Sequence, residues 1–503
     1  MNRDAPNSES SHRGDTIGRN AVFAFATQMA TAAFTAVLTL YLVRALGPAG
    51  FGTFALALSI TGLLQQPSAA GTNHAAGRYV AERHGDNAGI AAVLGMALPI
   101  RLLTATGISV ALFALAEPIA NAYDAPELTW TLRWMAIAFF GHGILGFLRT
   151  VFVSLRRTST SFSMVFSESA VEFTSTVALV ALGGGVAGAA LGRAVGYVFG
   201  AALGVFLLAR LLGRSPLFGT GPTPVRRREF MSYAWAMLIV TGAGAIFSQL
   251  DVLLIGAFLT TSAVGIFSAP LRLIALVGYP AQALAQGVAP RMARHPDEPP
   301  RIAALERAIG YVVVLQAATV ALLTVWAEPI VRLTLGSEFS ESAEVMRALA
   351  PFVFLQGITV LLSSPLNYAG EGRRRIPIAI GAVAVNAAID VVLIPDIGIL
   401  GAAVGTDVAY SLYAGAHLWL CHRVLGLPLK PLAATAGRAL VAAGAMAAVL
   451  ALVGTGSLSP FEWLAGLALA PAAFVATLLV TRELSPGEIR ALVKLPMKAL
   501  RSG

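Results

Sequence analysis

Fourteen stretches of about 20 mostly apolar residues follow one another along the chain. They lie near 20–43, 51–71, 92–116, 131–153, 161–183, 187–210, 231–257, 263–289, 307–327, 346–366, 376–396, 399–421, 433–453 and 461–481. A stretch of this kind crosses a bilayer as a helix, which bonds its own backbone groups where no water can. The stretches lack the period-two alternation of barrel strands and are rich in Ala, Leu and Gly. The chain therefore predicts an all-α integral membrane protein of about 14 transmembrane helices. Only 12% of its residues are charged, against about 25% in soluble domains, which excludes a water-soluble multidomain enzyme. Residues 1–16 are polar and lack an apolar signal core, so the first span is expected to serve as the anchor.

The basic residues give the orientation. With the N-terminus inside, all but seven of the 35 Lys and Arg residues lie on the cytoplasmic side. Arg44, Arg332 and Arg347 fall outside, and Arg101, Arg133, Arg193 and Arg272 fall within spans. This is the positive-inside pattern, and it predicts both termini in the cytoplasm. The net charge of +9 is thus a topology signal with some anionic-lipid contact, not a nucleic-acid footprint. A single cysteine, Cys421, excludes a disulfide framework and a cysteine metal site. No phosphate-cradling G-x-x-x-x-G-K loop is present, so the driving energy is expected from an ion gradient or the membrane potential. No cofactor and no resident metal are expected.

The chain also repeats itself at an offset near 213. Gly52, Phe54, Pro67 and Arg78 recur as Gly265, Phe267, Pro280 and Arg291. Ala116-Glu117-Pro118-Ile119 recurs as Ala327-Glu328-Pro329-Ile330. Arg133, Ala136, Phe140, Gly143 and Ile144 recur as Arg347, Ala350, Phe354, Gly357 and Ile358. Gly185, Gly188, Gly192 and Tyr197 recur as Gly398, Gly401, Gly405 and Tyr410. Six spans per copy is an even number, so both copies insert the same way up, as a parallel repeat. The expected organisation is a cytoplasmic tail 1–19, an N-lobe 20–212 and a basic linker 213–229. A C-lobe 230–425, a two-span appendage 426–481 and a cytoplasmic tail 482–503 follow.

Three segments carry a family resemblance: "LYLVRALGPAGFGTFALALS" at 40–59, "SQLDVLLIGAFLTTSAVGIFSAPLRL" at 248–273 and "LIPDIGILGAAVGT" at 393–406. They resemble bacterial polysaccharide-unit flippases of the multidrug/oligosaccharidyl-lipid/polysaccharide exporter superfamily. The resemblance implies two six-helix bundles forming a V around a central cavity that opens alternately to each side. It implies residence in a bacterial inner membrane, polysaccharide-assembly proteins as partners, and an anionic polyprenyl-pyrophosphate-linked oligosaccharide as cargo.

Charges inside a membrane cost about 2.5–3.5 kcal/mol each even on lenient scales, so each needs a reason. Arg101 is expected to snorkel to the cytoplasmic surface, and Arg133 and Arg347 to anchor the outer interface. Arg272 lies too deep to snorkel, in a span punctuated by Pro270, Pro280 and Pro290. It reads either as a cavity residue for the pyrophosphate or as one half of a buried ion pair. The resemblance favours the cavity, with Gln249 and Gln28 as further cavity residues and Asp251 as either a cavity residue or a packing residue. Glu168 and Glu172 share one face of the fifth span at i and i+4, either as the coupling site for a proton or cation or as partners of arginines on neighbouring helices. Arg193 and Asp407, at matching points of the sixth and twelfth spans, are expected to close an outer gate. Asp390 is the fifth intramembrane carboxylate. His142 and His417 read as satisfied core residues.

Two functions fit: a lipid-linked oligosaccharide flippase and a cation-coupled small-molecule exporter. A cationic cavity and two extra spans favour the flippase. A glycosyltransferase or polymerase is disfavoured, because the outer loops 117–130 and 328–345 are short and hold no convincing carboxylate pair.

Overall fold

The computed structural model describes residues 17–69, 71–83, 85–212, 227–288, 302–485 and 487. Most of the 213–229 linker, the Pro290 to Arg301 stretch and nearly all of the C-terminal tail lie outside the described residues. No strand occurs among them. The chain forms two compact units, 1–257 and 258–503. The division falls at the end of the seventh span, which counts with the first unit.

Unit 1 contains α1 (Ile17–Ala69), α2 (Thr72–Ala81), α3 (Asn87–Ala114), α4 (Ala116–Ala122), α5 (Leu128–Ser154), α6 (Thr158–Leu179), α7 (Gly185–Leu212) and α8 (Arg227–Phe258). α1 holds the first two predicted spans and breaks at Gly47, whose φ of 65° and ψ of 180° are not helical. Pro48, which cannot donate a backbone hydrogen bond, follows directly. α6 and α7 form a hairpin closed by a π-turn at Val180–Gly184. The unit's core gathers apolar residues from α2, α3, α5, α6, α7 and α8, with Phe147, Phe152 and Phe230 fully buried.

α3 shows why Arg101 does not snorkel. Asp86 caps the helix, its Oδ1 accepting from Gly89 N at 2.9 Å, so the helix starts at Asn87 rather than near 92. Arg101 then stands about 21 Å along it. It is only 4% exposed. Its Nε donates to Gly143 O of α5 at 3.0 Å and its Nη1 to Ser68 Oγ of α1 at 3.1 Å. The expected surface reach is thus replaced by a buried three-helix tie. Unit 2 fills the matching place, at Gly357, with the neutral Gln316.

Unit 2 contains α9 (Thr261–Val277), α10 (Tyr279–Val288), α11 (Ile302–Val325), α12 (Ala327–Thr334), α13 (Ser342–Ala348), α14 (Ala350–Tyr368), α15 (Arg375–Ile397) and α16 (Ile399–Leu425). α17 (Leu429–Val453) and α18 (Pro460–Val480) end it. The eighth predicted span is divided, as its prolines suggest: α9 stops at Val277 and α10 restarts at Tyr279 with Pro280 in its first turn. The two-span appendage is docked by Trp326, which is fully buried. Its Nε1 donates to Leu450 O at 3.3 Å and Gly454 O at 3.0 Å, and its ring meets Trp463 edge-on. Gly466 of α18 leaves the space that the Trp326 ring fills. Nine of the described helices are long and apolar enough to cross a membrane, two of them, Val22–Ala69 and Thr158–Leu211, at double length.

Candidate functional site

A polar cluster sits inside the α6–α7 hairpin of unit 1. Gly192, Gly196, Gly200 and Gly204 recur every fourth residue of α7 and form one face. A Cβ at Gly196 would come within 2.5 Å of Glu172 Cβ and 2.7 Å of its Cα, and one at Gly200 within 2.7 Å of Glu168 Cβ. Only glycine lets the two backbones approach this closely. The zipper presses Glu168, 4% exposed, and Glu172, 8% exposed, against α7.

One turn before Tyr197 on α7, Arg193 turns back towards α6. Its Nη1 is ion-paired with Glu172 Oε1. Its Nη2 donates to Tyr197 OH at 2.7 Å, and its guanidinium lies 4.8 Å from the Tyr197 ring centroid. Glu172 is therefore matched by a fixed cation. Glu168 is treated differently: Ser169 Oγ donates to its Oε2 at 3.2 Å, while its Oε1 is buried without a hydrogen-bond partner. His142 of α5 stands edge-on to Tyr197 with ring centroids 4.8 Å apart, and its Nδ1 is also buried without a partner. His142 is thus not the satisfied core histidine expected from the sequence. The two glutamates share a face, as predicted, but have different surroundings.

The second copy of the repeat carries different chemistry at the same place. Gly188 packs on Leu179 and Gly192 on Thr176, while Gly401 packs on Leu393 and Gly405 on Asp390. The offset is 214 on α6 and α15 but 213 on α7 and α16. The first copy therefore holds one extra residue between the paired helices, and there the π-turn Val180–Gly184 lies. By this register Glu172 corresponds to Asn386, Glu168 to Ala382 and Arg193 to Thr406. Asn386 and Asp390 are fully buried, and Asn386 Nδ2 donates to Asp390 Oδ2 at 3.1 Å. The charged triad belongs to the first copy alone, so the fold does not require it.

Arg193 is engaged by Glu172 in its own hairpin. Asp407 Oδ1 accepts from the backbone N–H of Phe352, third residue of α14, at 2.9 Å. It thereby caps that helix from a neighbouring one. Gln249 on α8 lies against Gly62 of α1, its Nε2 donating to Ser248 Oγ at 3.0 Å. Asp251 is half-buried two residues further along α8, and Gln28 is exposed on α1. Arg272 is exposed on α9, two residues past the internal Pro270. Arg133 of α5 pairs with Glu117, in the first turn of α4, at 3.6 Å, and Arg347 Nε donates to Thr324 O at 3.3 Å. Among the described residues no group of three or more His, Cys, Asp or Glu side chains could hold a metal ion.

A family model described as polysaccharide biosynthesis protein matches residues 17–295. The chain is 26% identical over 199 residues to the probable low-salt glycan biosynthesis flippase Agl15 of Haloferax volcanii, covering 39% of this chain and 42% of that one. The chain thus spans less than half the length of that relative. In fold it is similar to the lipid II flippase MurJ in an inward closed conformation, with a TM-score of 0.69, 13% identity, and coverage of 92% of this chain and 99% of that one. It is also similar to an inward-facing multidrug resistance MATE family transporter of the MOP superfamily, with a TM-score of 0.61, 16% identity, and coverage of 82% and 99%. The fold is that of these two structures, and the chain belongs to the polysaccharide biosynthesis protein family.

Proposed function

We propose that the protein flips a polyprenyl-pyrophosphate-linked oligosaccharide from the inner to the outer leaflet for cell-surface polysaccharide assembly. The observation that carries this reading is the family match over more than half of the chain. The likeness to a glycan biosynthesis flippase supports it. The fourteen-span topology with both termini cytoplasmic, and residence in a bacterial inner membrane beside polysaccharide-assembly proteins, belong to the same proposal. Arg272 is the residue we assign to the pyrophosphate: a guanidinium offers phosphate oxygens a bidentate, permanently charged partner. Export of about two negative charges gains roughly 2.3 kcal/mol per charge for every 100 mV of inside-negative potential. The potential can then drive the step without ATP.

Coupling is assigned to Glu168. Its neighbour Glu172 is already neutralised by Arg193, and a guanidinium so close disfavours a metal cation. A proton on the partnerless Oε1 removes a buried charge that no fixed cation matches and leaves the cluster's other bonds in place. The experiment is Glu168→Gln, read as lipid-linked sugar held in the inner leaflet at normal protein abundance. Undiminished export by that variant removes Glu168 from the mechanism and leaves the flippase reading standing.

The alternative, a cation-coupled small-molecule exporter, draws on the MATE-like fold. It predicts efflux of organic cations that is indifferent to Arg272.

A further inference from the structure

The second unit holds another titratable cluster, remote in sequence from Glu168. Arg375, the first residue of α15, makes three contacts with neutral groups. Its Nε donates to His417 Nε2 at 3.1 Å, its Nη1 to Asn367 Oδ1 at 2.6 Å, and its Nη2 approaches Tyr413 OH at 3.5 Å. A guanidinium has no acceptor, so Nε2 of His417 must supply the lone pair. The imidazole is therefore neutral, with its proton on Nδ1, which lies 2.9 Å from Tyr413 O. His417 is fully buried.

The same positions in the first copy are built otherwise. Tyr413 and His417 correspond to Gly200 and Gly204, and Arg375 to Ser161. In unit 1 the glycines let α6 and α7 interlock backbone to backbone. In unit 2 two rings occupy that space, and Arg375 bridges them to α14 and α15. One copy is zipped by shape, and the other is tied by hydrogen bonds that hold in one protonation state of a histidine.

The surroundings offer a second proton no compensation. Against His417 stand Arg375 from α15, the neutral Asn367 from α14 and Tyr413 from its own helix. Glu371, on the turn before α15, is ion-paired with Arg374 at 2.9 Å. Cys421, one turn along α16, donates to Leu362 O at 3.1 Å, and His422 Nδ1 is bonded to Leu427 O at 2.8 Å. The adjoining core from α10, α11, α14 and α17 is apolar.

We propose that His417 is a proton-binding latch: neutral, it ties the start of α15 to α14 and α16, and a proton taken up at Nε2 replaces the Arg375 bond with cation–cation repulsion and releases that end of α15. The latch belongs to the other unit from Glu168 and holds whether the cargo is a lipid-linked glycan or a small molecule.

The test is hydrogen–deuterium exchange of residues 372–380 in the full-length protein in nanodiscs, corrected for intrinsic rates, between about pH 8 and about pH 3, because a second proton must enter a buried site beside a cation. Protection is expected to fall roughly tenfold on acidification, the scale of losing hydrogen bonds to a charged group. His417→Gln, whose amide oxygen still accepts from Arg375, should keep protection high at every pH. Arg375→Gln should lose it at every pH, and Glu168→Gln should leave the wild-type profile unchanged. A flat wild-type profile, or a pH dependence that survives in His417→Gln, overturns the latch.

Discussion

Arg193 and Glu172, 21 residues apart on the two arms of one helical hairpin, form an ion pair that fixes Arg193 within unit 1. Removing one partner of a buried pair strands the other charge and costs about 3–5 kcal/mol. Here the Arg193 side chain is 25% exposed and that of Glu172 11%, so we place the loss nearer about 2–3 kcal/mol, discounted for solvent screening. Arg193→Leu and Glu172→Leu should each lower the thermal midpoint of the purified protein. The double variant should recover much of the loss, and strictly additive losses would show that the pair carries no coupling.

The glycine zipper makes a paired prediction. Gly196→Ala drives a methyl group into the backbone of α6 at Glu172, an overpacking that costs about 1–3 kcal/mol. Gly381→Ala on α15 meets nothing within 4 Å and should be neutral or stabilising by up to about 1 kcal/mol from helix propensity. Thermal unfolding of the two variants side by side checks the contrast. Equal midpoints would mean that α6 and α7 are not in backbone contact.

Asp407 is predicted to act as a helix cap. Asp407→Ala removes the acceptor at Phe352 N and should cost about 1 kcal/mol, while Asp407→Asn keeps an acceptor and should cost less. A gate role predicts instead that the two variants lose transport equally at unchanged stability. Measuring both quantities on both variants separates the roles.

Much of this architecture is legible in the sequence, because a membrane span announces itself by length and apolarity and a repeat by its offset. The kink of the eighth span could be read from Pro270 and Pro280. What escaped depends on register. Arg101 reads as a surface-reaching residue only if α3 starts at the onset of the apolar run, and Asp86 starts it earlier. The Glu172–Arg193 pair depends on how α6 and α7 are phased, and a single extra residue absorbed by the π-turn sets that phase. His417 is the satisfied core residue the sequence suggests, but its partner Arg375 lies 42 residues away on another helix and is not legible from spacing. The asymmetry between Glu168 and Glu172 arises from one neighbour, Arg193, that periodicity alone cannot assign to either.

Arg272 separates charge from geometry. Arg272→Lys keeps the charge and loses the bidentate fork, so partial export is expected, and Arg272→Ala should export almost nothing. Both variants should still insert, since neither adds a buried charge. Lipid-linked sugar accumulating in the inner leaflet is the readout, and normal export by Arg272→Ala would confine the arginine to a structural role.

The most direct test reconstitutes the full-length protein in vesicles holding a fluorescent polyprenyl-pyrophosphate oligosaccharide in both leaflets, with an impermeant glycosidase outside. In protein-free vesicles only the outward-facing pool is cleaved. With the protein present, the inner pool should become cleavable too, at a rate that rises with an inside-negative potential and collapses in Arg272→Ala. A protected inner pool, in vesicles whose protein nonetheless exports an organic cation, would contradict the flippase account and establish the exporter in its place.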